Sequence, residues 1–336
     1  MKTAIITGVS GMDGSTLAEM LLDKGYKVIG IDRWSPTGLA KNLDIAIKHK
    51  NFVNITGDIT EKTFIHKIIN DYKPDYFYNL AAISLVPESF KIPVTIFETN
   101  MMAVLNMLET IRIYSPKTRF YQASTSEQIG DNTESPQNTE SRMMPNSPYA
   151  IAKMTSYYLV RCYRKAFGIF AVNGMLWNHE GPRRGPEFVT RKVTMHVGQN
   201  TEEPLQIGNL DACRDWGLSS DFCDAMILMM EADEPDDYAV NTGESHSIRE
   251  LIEEAFAYKG IKVNWKGKDK EEKGYDDNWK LIVETNEQFY RPVEVPYLQG
   301  DHSKIKEKLG WVPKTKFKDL VKIMMENDSN GINGSL

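Results

Sequence analysis

The stretch Thr3-Ala4-Ile5-Ile6-Thr7-Gly8-Val9-Ser10-Gly11-Met12-Asp13-Gly14-Ser15 decides the fold. A short apolar run ends at Thr7, three evenly spaced glycines follow, and a helical pattern runs from Ser15 to Lys24. Strand, glycine turn and helix in that order make a phosphate cradle, because the first amides of a helix lack partners and point at whatever binds there. Gly8 allows the tight turn. Gly11, followed by Met12 and Asp13, lets the backbone approach a pyrophosphate. Gly14 allows the helix to pack closely on the strand. The spacing is G-x-x-G-x-x-G rather than G-x-G-x-x-G, and alone it would also fit an ordinary strand-to-helix turn.

Outward from the loop, strand and helix alternate. Strands are predicted at Thr3–Thr7, Lys27–Ile31, Phe52–Thr56, Tyr76–Leu80, Arg119–Ala123 and Phe170–Met175, with helices between them at Ser15–Lys24, Glu61–Tyr72, Val94–Tyr114 and Tyr149–Phe167. That alternation predicts an α/β fold, a Rossmann-type doubly wound parallel sheet with ligands at the carboxyl ends of its strands. After Trp177 the pattern changes to a polar, basic turn and then to helices at Phe188–Gly198, Ser219–Glu231, Ser247–Tyr258 and Ser303–Leu309. A smaller C-terminal α+β substrate lobe is expected there. Lys266–Asp277 reads as an exposed charged loop, and Asn327–Leu336 as a frayed tail.

The most informative pair is Tyr149 and Lys153 in Ser147-Pro148-Tyr149-Ala150-Ile151-Ala152-Lys153. A spacing of i,i+4 puts both side chains on one helical face. A nearby ammonium favours the phenolate, so Lys153 is expected to draw the Tyr149 pKa towards neutrality and make it a general base. On an arbitrary helix such a pair is common, but downstream of a dinucleotide loop it reads as catalytic. Asp32 and Arg33 end the second strand. The first suits an adenosine ribose and the second a 2′-phosphate, with Ser35 able to add a hydrogen bond. Asp58 suits either an adenine contact or a helix N-cap. Thr125 and Glu127, after the fifth strand, could bind a substrate hydroxyl and move a carbon-bound proton.

Bulk properties exclude several classes. The 336 residues are 41% hydrophobic and 26% charged, ordinary values for a globular chain. A net charge of −6 argues against nucleic acid as the main partner. No apolar run is long enough to span a membrane, and no signal peptide is visible. Cys162, Cys213 and Cys223 lack metal-ligand spacing, so no metal is expected, and reduced thiols suit a cytoplasmic protein.

Together these features resemble the extended short-chain dehydrogenase/reductase superfamily and, within it, the GDP-mannose 4,6-dehydratase family. The matching stretches are Gly8–Leu17, Tyr121–Glu127, Ser147–Lys153, Asn178–Glu180, Phe188–Lys192, Gly208–Asp211, Arg214–Gly217 and Arg291–Val295. The resemblance implies a catalytic set of Thr125, Glu127, Tyr149 and Lys153. It implies NADP as cofactor, with NAD possible, contacted by His179, Arg184, Arg33 and Ser84. It also implies GDP-mannose as substrate, contacted by Asn178, Lys192, Arg214, Arg291 and Glu294, and a homodimer or homotetramer. On this reading residues 1–176 bind NADP and residues 177–326 mainly bind the sugar nucleotide, with some segments returning to the sheet. Residues 327–336 form a flexible tail. The chain departs from the family at Trp34, where a second arginine is usual, and at Leu85, where a histidine is common. The family's tetramer loop is not recognisable in Ser35–Asn42. A reductase or 4-epimerase on the same fold would need Tyr149 and Lys153 but not Glu127 beside Thr125. A non-catalytic nucleotide sensor would tend to lose the tyrosine or the lysine.

Overall fold

The computed structural model describes residues 1–34, 41–290 and 297–331. Thr3–Thr7 forms β1, α1 (Met12–Asp23) turns the chain back, and β2 (Lys27–Asp32) runs parallel to β1 with Thr3 opposite Lys27. β3 (Phe52–Thr56) extends that side of the sheet, and α2 (Lys62–Tyr72) carries the chain to β4 (Tyr76–Asn79) on the other side of β1. α3 (Val86–Ser89), α4 (Pro93–Phe97) and α5 (Ala103–Tyr114) lead to β5 (Arg119–Thr125), and α6 (Pro148–Phe167) leads to β6 (Ala171–Leu176).

β7 (Asn178–Glu180), α7 (Val189–Gly198), β8 (Leu205–Ile207), β9 (Cys213–Arg214) and β10 (Trp216–Leu218) leave the sheet. α8 (Ser219–Glu231) and β11 (Asp237–Val240) return to it, β11 pairing with β6. β12 (His246–Ser247), α9 (Ile248–Tyr258), β13 (Asn264–Lys266), β14 (Lys273–Tyr275), β15 (Leu281–Thr285), α10 (Ser303–Leu309) and α11 (Phe317–Ser329) follow. Among the described residues the main sheet has seven parallel strands in the order β11-β6-β5-β4-β1-β2-β3. The order reverses between β1 and β4, which opens a crevice at the carboxyl ends of the strands.

Alternate residues of each strand feed opposite faces. Ile5, Ile29 and Phe77 pack with Ile69 of α2, Leu108 of α5 and Val160 of α6. Ile6, Val28 and Tyr78 pack with Leu17 of α1 and Phe222 and Met226 of α8. Each such fully buried side chain stabilises the fold by about 1.5–3 kcal/mol. The second lobe has its own core, in which Val193, Leu205, Trp216, Ile252, Val283 and Leu320 meet. Among the described residues no helix is long and apolar enough to cross a membrane, and no cluster of His, Cys, Asp or Glu could hold a metal.

Three local expectations change. The helix expected over Val94–Tyr114 contains a π turn at Glu98–Met102. There the Asn100 side chain leaves the helix to bond the Ile83 N–H and C=O, each at 3.0 Å, pinning the loop after β4. Lys266–Asp277 is not a plain loop, because β13 pairs with β14 and β14 with β15, with Trp265 packed on the lobe core. The tail does not begin at Asn327. α11 runs to Ser329, and Asp328 is buried against Arg191 at 2.8 Å and accepts from Thr194 at 2.7 Å. Removing one partner from such a buried pair costs about 3–5 kcal/mol. Residues 332–336 of the expected tail lie outside the described residues.

Candidate active site

The glycine turn is built as its residues require. Gly8 has φ +69 and donates its N–H to the Ile31 carbonyl at 2.8 Å. A Cβ on Gly14 would lie 2.2 Å from the Gly8 carbonyl oxygen and 2.7 Å from Val9 Cα, so only glycine lets α1 start this close to the turn. Gly11 is the N-cap residue of α1 and is exposed, while Met12 is buried beneath Gly181. Asp32, at the end of β2, accepts the Ser10 N–H at 2.8 Å, and Asn42 donates to the Ser10 carbonyl at 3.0 Å. Burial raises the Asp32 pKa against the opposing effect of its bonds with Ser10 and of Arg33. Arg33 is exposed and, with Gly8, Asp58, Ile83 and Thr99, lines a cavity of about 140 Å³. Asp58 accepts from the Thr60 N–H and hydroxyl at 2.9 and 2.8 Å. It does not cap α2, whose N-cap residue is Glu61.

A larger cavity of about 680 Å³ lies beside the first. From the sheet side Asp13, Ser84, Thr125, Glu127, Tyr149 and Lys153 line it. Asn178, His179, Arg184, Lys192 and Arg214 face them from the second lobe and the segment after β6. Ser35, Arg291 and Glu294 lie outside the described residues.

α6 holds the Tyr-Lys pair because Ser147 caps it, accepting the Ala150 N–H at 3.1 Å, with Pro148 in its first turn. Lys153 is buried and donates from Nζ to the Ala123 carbonyl at 3.0 Å, with Nζ 5.9 Å from the Tyr149 ring centre. The expectation that Lys153 draws the Tyr149 pKa down is corrected here. Burial pushes the Tyr149 phenol up to about 12, helped by Glu127 and opposed by the Thr125 hydrogen bond and the Arg184 charge. Burial also pushes Lys153 down to about 8. Desolvation outweighs the ion–phenol attraction at this separation. Thr125 Oγ1 accepts the Glu127 N–H at 3.2 Å, which sets both side chains at the mouth of β5.

His179 uses both ring nitrogens within the protein, Nδ1 on the Trp177 carbonyl at 2.8 Å and Nε2 on Asp13 at 2.7 Å. Asp13 also accepts from Ser219 at 2.7 Å. Burial works against the Asp13 carboxylate, yet the His179 charge and the two hydrogen bonds hold its pKa below the ordinary range. Burial likewise opposes the His179 charge, and Asp13 reverses the balance and raises it. This ion pair ties the glycine turn to β7 and α8.

Arg184 lies 3.0 Å from buried Glu180 and stacks on Phe188 at 3.5 Å. Lys192 sits 3.4 Å from the centre of the Phe289 ring, and burial lowers its pKa. Sequence reasoning missed Phe188 and Phe289 as cavity residues. Phe289 lies two residues before the Arg291–Val295 block. Asn178 Oδ1 and Trp177 Nε1 are buried, line the cavity and have no partner among the described residues.

A seven-stranded parallel sheet, a glycine cradle at its reversal point and a buried Tyr-Lys pair define a short-chain dehydrogenase/reductase. Solved structures share this architecture. A dTDP-glucose 4,6-dehydratase from Bacillus anthracis in complex with NAD superposes with TM-score 0.82 at 20% identity, covering 98% of this chain and 97% of that one. The structure of RMD from Pseudomonas aeruginosa complexed with NADPH gives TM-score 0.76 at 20% identity, covering 98% and 100%. The family model for GDP-mannose 4,6 dehydratase matches residues 5–324. The GDP-mannose 4,6 dehydratase of Drosophila melanogaster is 43% identical over 97% of this chain and 86% of its own length. That of Vibrio cholerae is 38% identical over 97% and 94%. The chain belongs to the GDP-mannose 4,6-dehydratase family.

Proposed function

We propose that the chain is a hydro-lyase that converts GDP-mannose to GDP-4-keto-6-deoxymannose and water. The observation that carries this reading is the meeting of Tyr149, Lys153, Thr125 and Glu127 in one cavity opposite Lys192 and Arg214. A reductase or epimerase has no use for a carboxylate at the Glu127 position, and a mere sensor has no use for the acid–base pair.

The two cavities suit a nicotinamide dinucleotide: the glycine cradle leaves room for a pyrophosphate, and Ser84, Tyr149 and Lys153 line the larger cavity beside it. A bound oxidised nicotinamide supplies a hydride acceptor, returns the hydride later, and brings a positive ring that would favour a phenolate. Tyr149 takes the proton from the sugar O4 as C4 is oxidised, with Thr125 orienting that hydroxyl. Lys153 would hold the nicotinamide ribose. Once C4 is a ketone, the C5 proton is acidic, and Glu127 removes it. The same carboxyl then gives that proton to O6, which leaves as water. C5 then takes a proton from solvent while Tyr149 gives the O4 proton back to solvent, and with the hydride that a bound nicotinamide would return to C6 the net change is loss of one water. Lys192 and Arg214 neutralise the diphosphate, joined by Arg291. Ser84, Arg184 and His179 would frame the cofactor, His179 acting through the Asp13 pair.

NADP is our reading of the cofactor. Asp32 already accepts the Ser10 N–H on Oδ2, whereas Arg33 stands exposed at the small cavity, where a 2′-phosphate would lie. Mass analysis of the cofactor released from the purified protein should find NADP, and a predominance of NAD would refute this reading. The exposed Val94, Met102, Ile113, Tyr158 and Phe167, on or beside α4, α5 and α6, favour a homodimer or homotetramer through those helices. Three unpaired cysteines suit the cytoplasm. The function itself is tested by incubation with a panel of sugar nucleotides. GDP-mannose should yield a product lighter by one water, and a product of unchanged mass would favour epimerisation.

A further inference from the structure

A buried line of hydrogen bonds crosses the sheet below the cavity. The Ala81 N–H donates to Thr7 Oγ1 at 3.2 Å, and Thr7 donates to Asn79 Oδ1 at 2.7 Å. Asn79 Nδ2 donates to Gln122 Oε1 at 2.9 Å, and Gln122 Nε2 donates to the Ala123 carbonyl at 2.8 Å. That oxygen is the one that takes Lys153 Nζ at 3.0 Å. A carbonyl oxygen has two lone pairs, and both are used here. Thr7, Asn79 and Gln122 are at most 1% exposed, and Lys153 is 4% exposed.

We propose that Gln122 is a positioning residue for Lys153: it fixes the Ala123 peptide that anchors the ammonium, and through Asn79 and Thr7 it ties that anchor to the strand bearing the glycine turn. The proposal rests on the reading of Lys153 as part of the catalytic set. Each link is satisfied in one direction only. Thr7 donates to the Asn79 oxygen, which leaves the Asn79 amide nitrogen facing Gln122. The Gln122 oxygen must accept, and its nitrogen must therefore donate to Ala123. With that donor gone, the Ala123 carbonyl keeps only the lysine, Asn79 keeps a buried N–H without an acceptor, and the peptide is free to turn. A small displacement of Lys153 moves it from the ribose it holds and from the phenol it faces.

The test is a double-mutant cycle on the full chain with Gln122→Met, which keeps volume but loses both bonds, and Lys153→Met. Two quantities are read: NADP⁺ affinity of cofactor-stripped protein, and kcat and KM for GDP-mannose across pH. Gln122→Met should lower kcat on the order of 10- to 10²-fold, weaken NADP⁺ binding and leave KM for GDP-mannose unchanged. In the Lys153→Met background the same substitution should change neither quantity, because the residue it acts through is gone. Losses that simply multiply would overturn the proposal and reduce Gln122 to a brace of the sheet. Native kcat and affinity in Lys153→Met alone would instead refute the reading of Lys153, and the proposal with it. Gln122→Glu covers the case in which the Met variant does not fold. A protonated carboxyl still accepts from Asn79 and donates to Ala123, and ionisation removes that donor. Its kcat should approach the native value at acid pH and fall as pH rises, a limb the native protein lacks. A native profile throughout would overturn the proposal.

Discussion

Tyr149→Phe lowers turnover of GDP-mannose by about 10²–10⁴-fold, the usual worth of general acid–base catalysis. The ring is buried among side chains that the substitution leaves in place, and the variant keeps the shape of the α6 face. Only the hydroxyl, the group hydrogen-bonded to Thr125, is lost. Cofactor should therefore stay bound, since the glycine turn and Lys153 are untouched. Burial holds the phenol mostly protonated at neutral pH and the charge of a bound nicotinamide would work against that without abolishing it, so turnover in the native protein should rise with pH over the range in which the fold is stable. Stopped assays of the dehydrated product check this, and near-normal dehydration by purified Tyr149→Phe would remove Tyr149 from the mechanism.

Glu127→Gln separates oxidation from elimination. Glutamine matches the carboxylate in shape but cannot take a proton, so overall turnover should again fall by about 10²–10⁴-fold. The first oxidation uses Tyr149 and Lys153 and should still occur. Reduced cofactor should then appear by absorbance on adding GDP-mannose and persist, with no dehydrated product. Exchange of solvent deuterium into C5 should be lost as well. A variant that exchanges C5 at the native rate would show that another group is the base.

Much of this was legible because it is local. The alternation of apolar runs fixes strands and helices within a few residues. The i,i+4 spacing of Tyr149 and Lys153 is a property of one helix. The glycine turn is a property of one strand–helix junction. What stayed hidden depends on partners distant in sequence. The Ser10 N–H that donates to the Asp32 carboxylate lies 22 residues away in the chain. The bond from His179 to Asp13 at 2.7 Å joins residues 166 apart in the chain. Asp328 belongs to a polar tail until Arg191 is seen beside it. The Tyr149 pKa went the other way because spacing reports proximity to a cation but not burial, and here burial dominates. Gln122 lay inside a matching stretch but had no assigned task, since its role exists only across three strands.

The central claim is that one hydride leaves C4 and returns to C6 of the same sugar while Tyr149 and Glu127 move the protons. GDP-mannose carrying deuterium at C4, turned over in ordinary water, tests it directly. The account predicts a product lighter by one water that carries the deuterium at C6. Deuterium retained at C4, deuterium lost to solvent, or a product that has lost no water would contradict it.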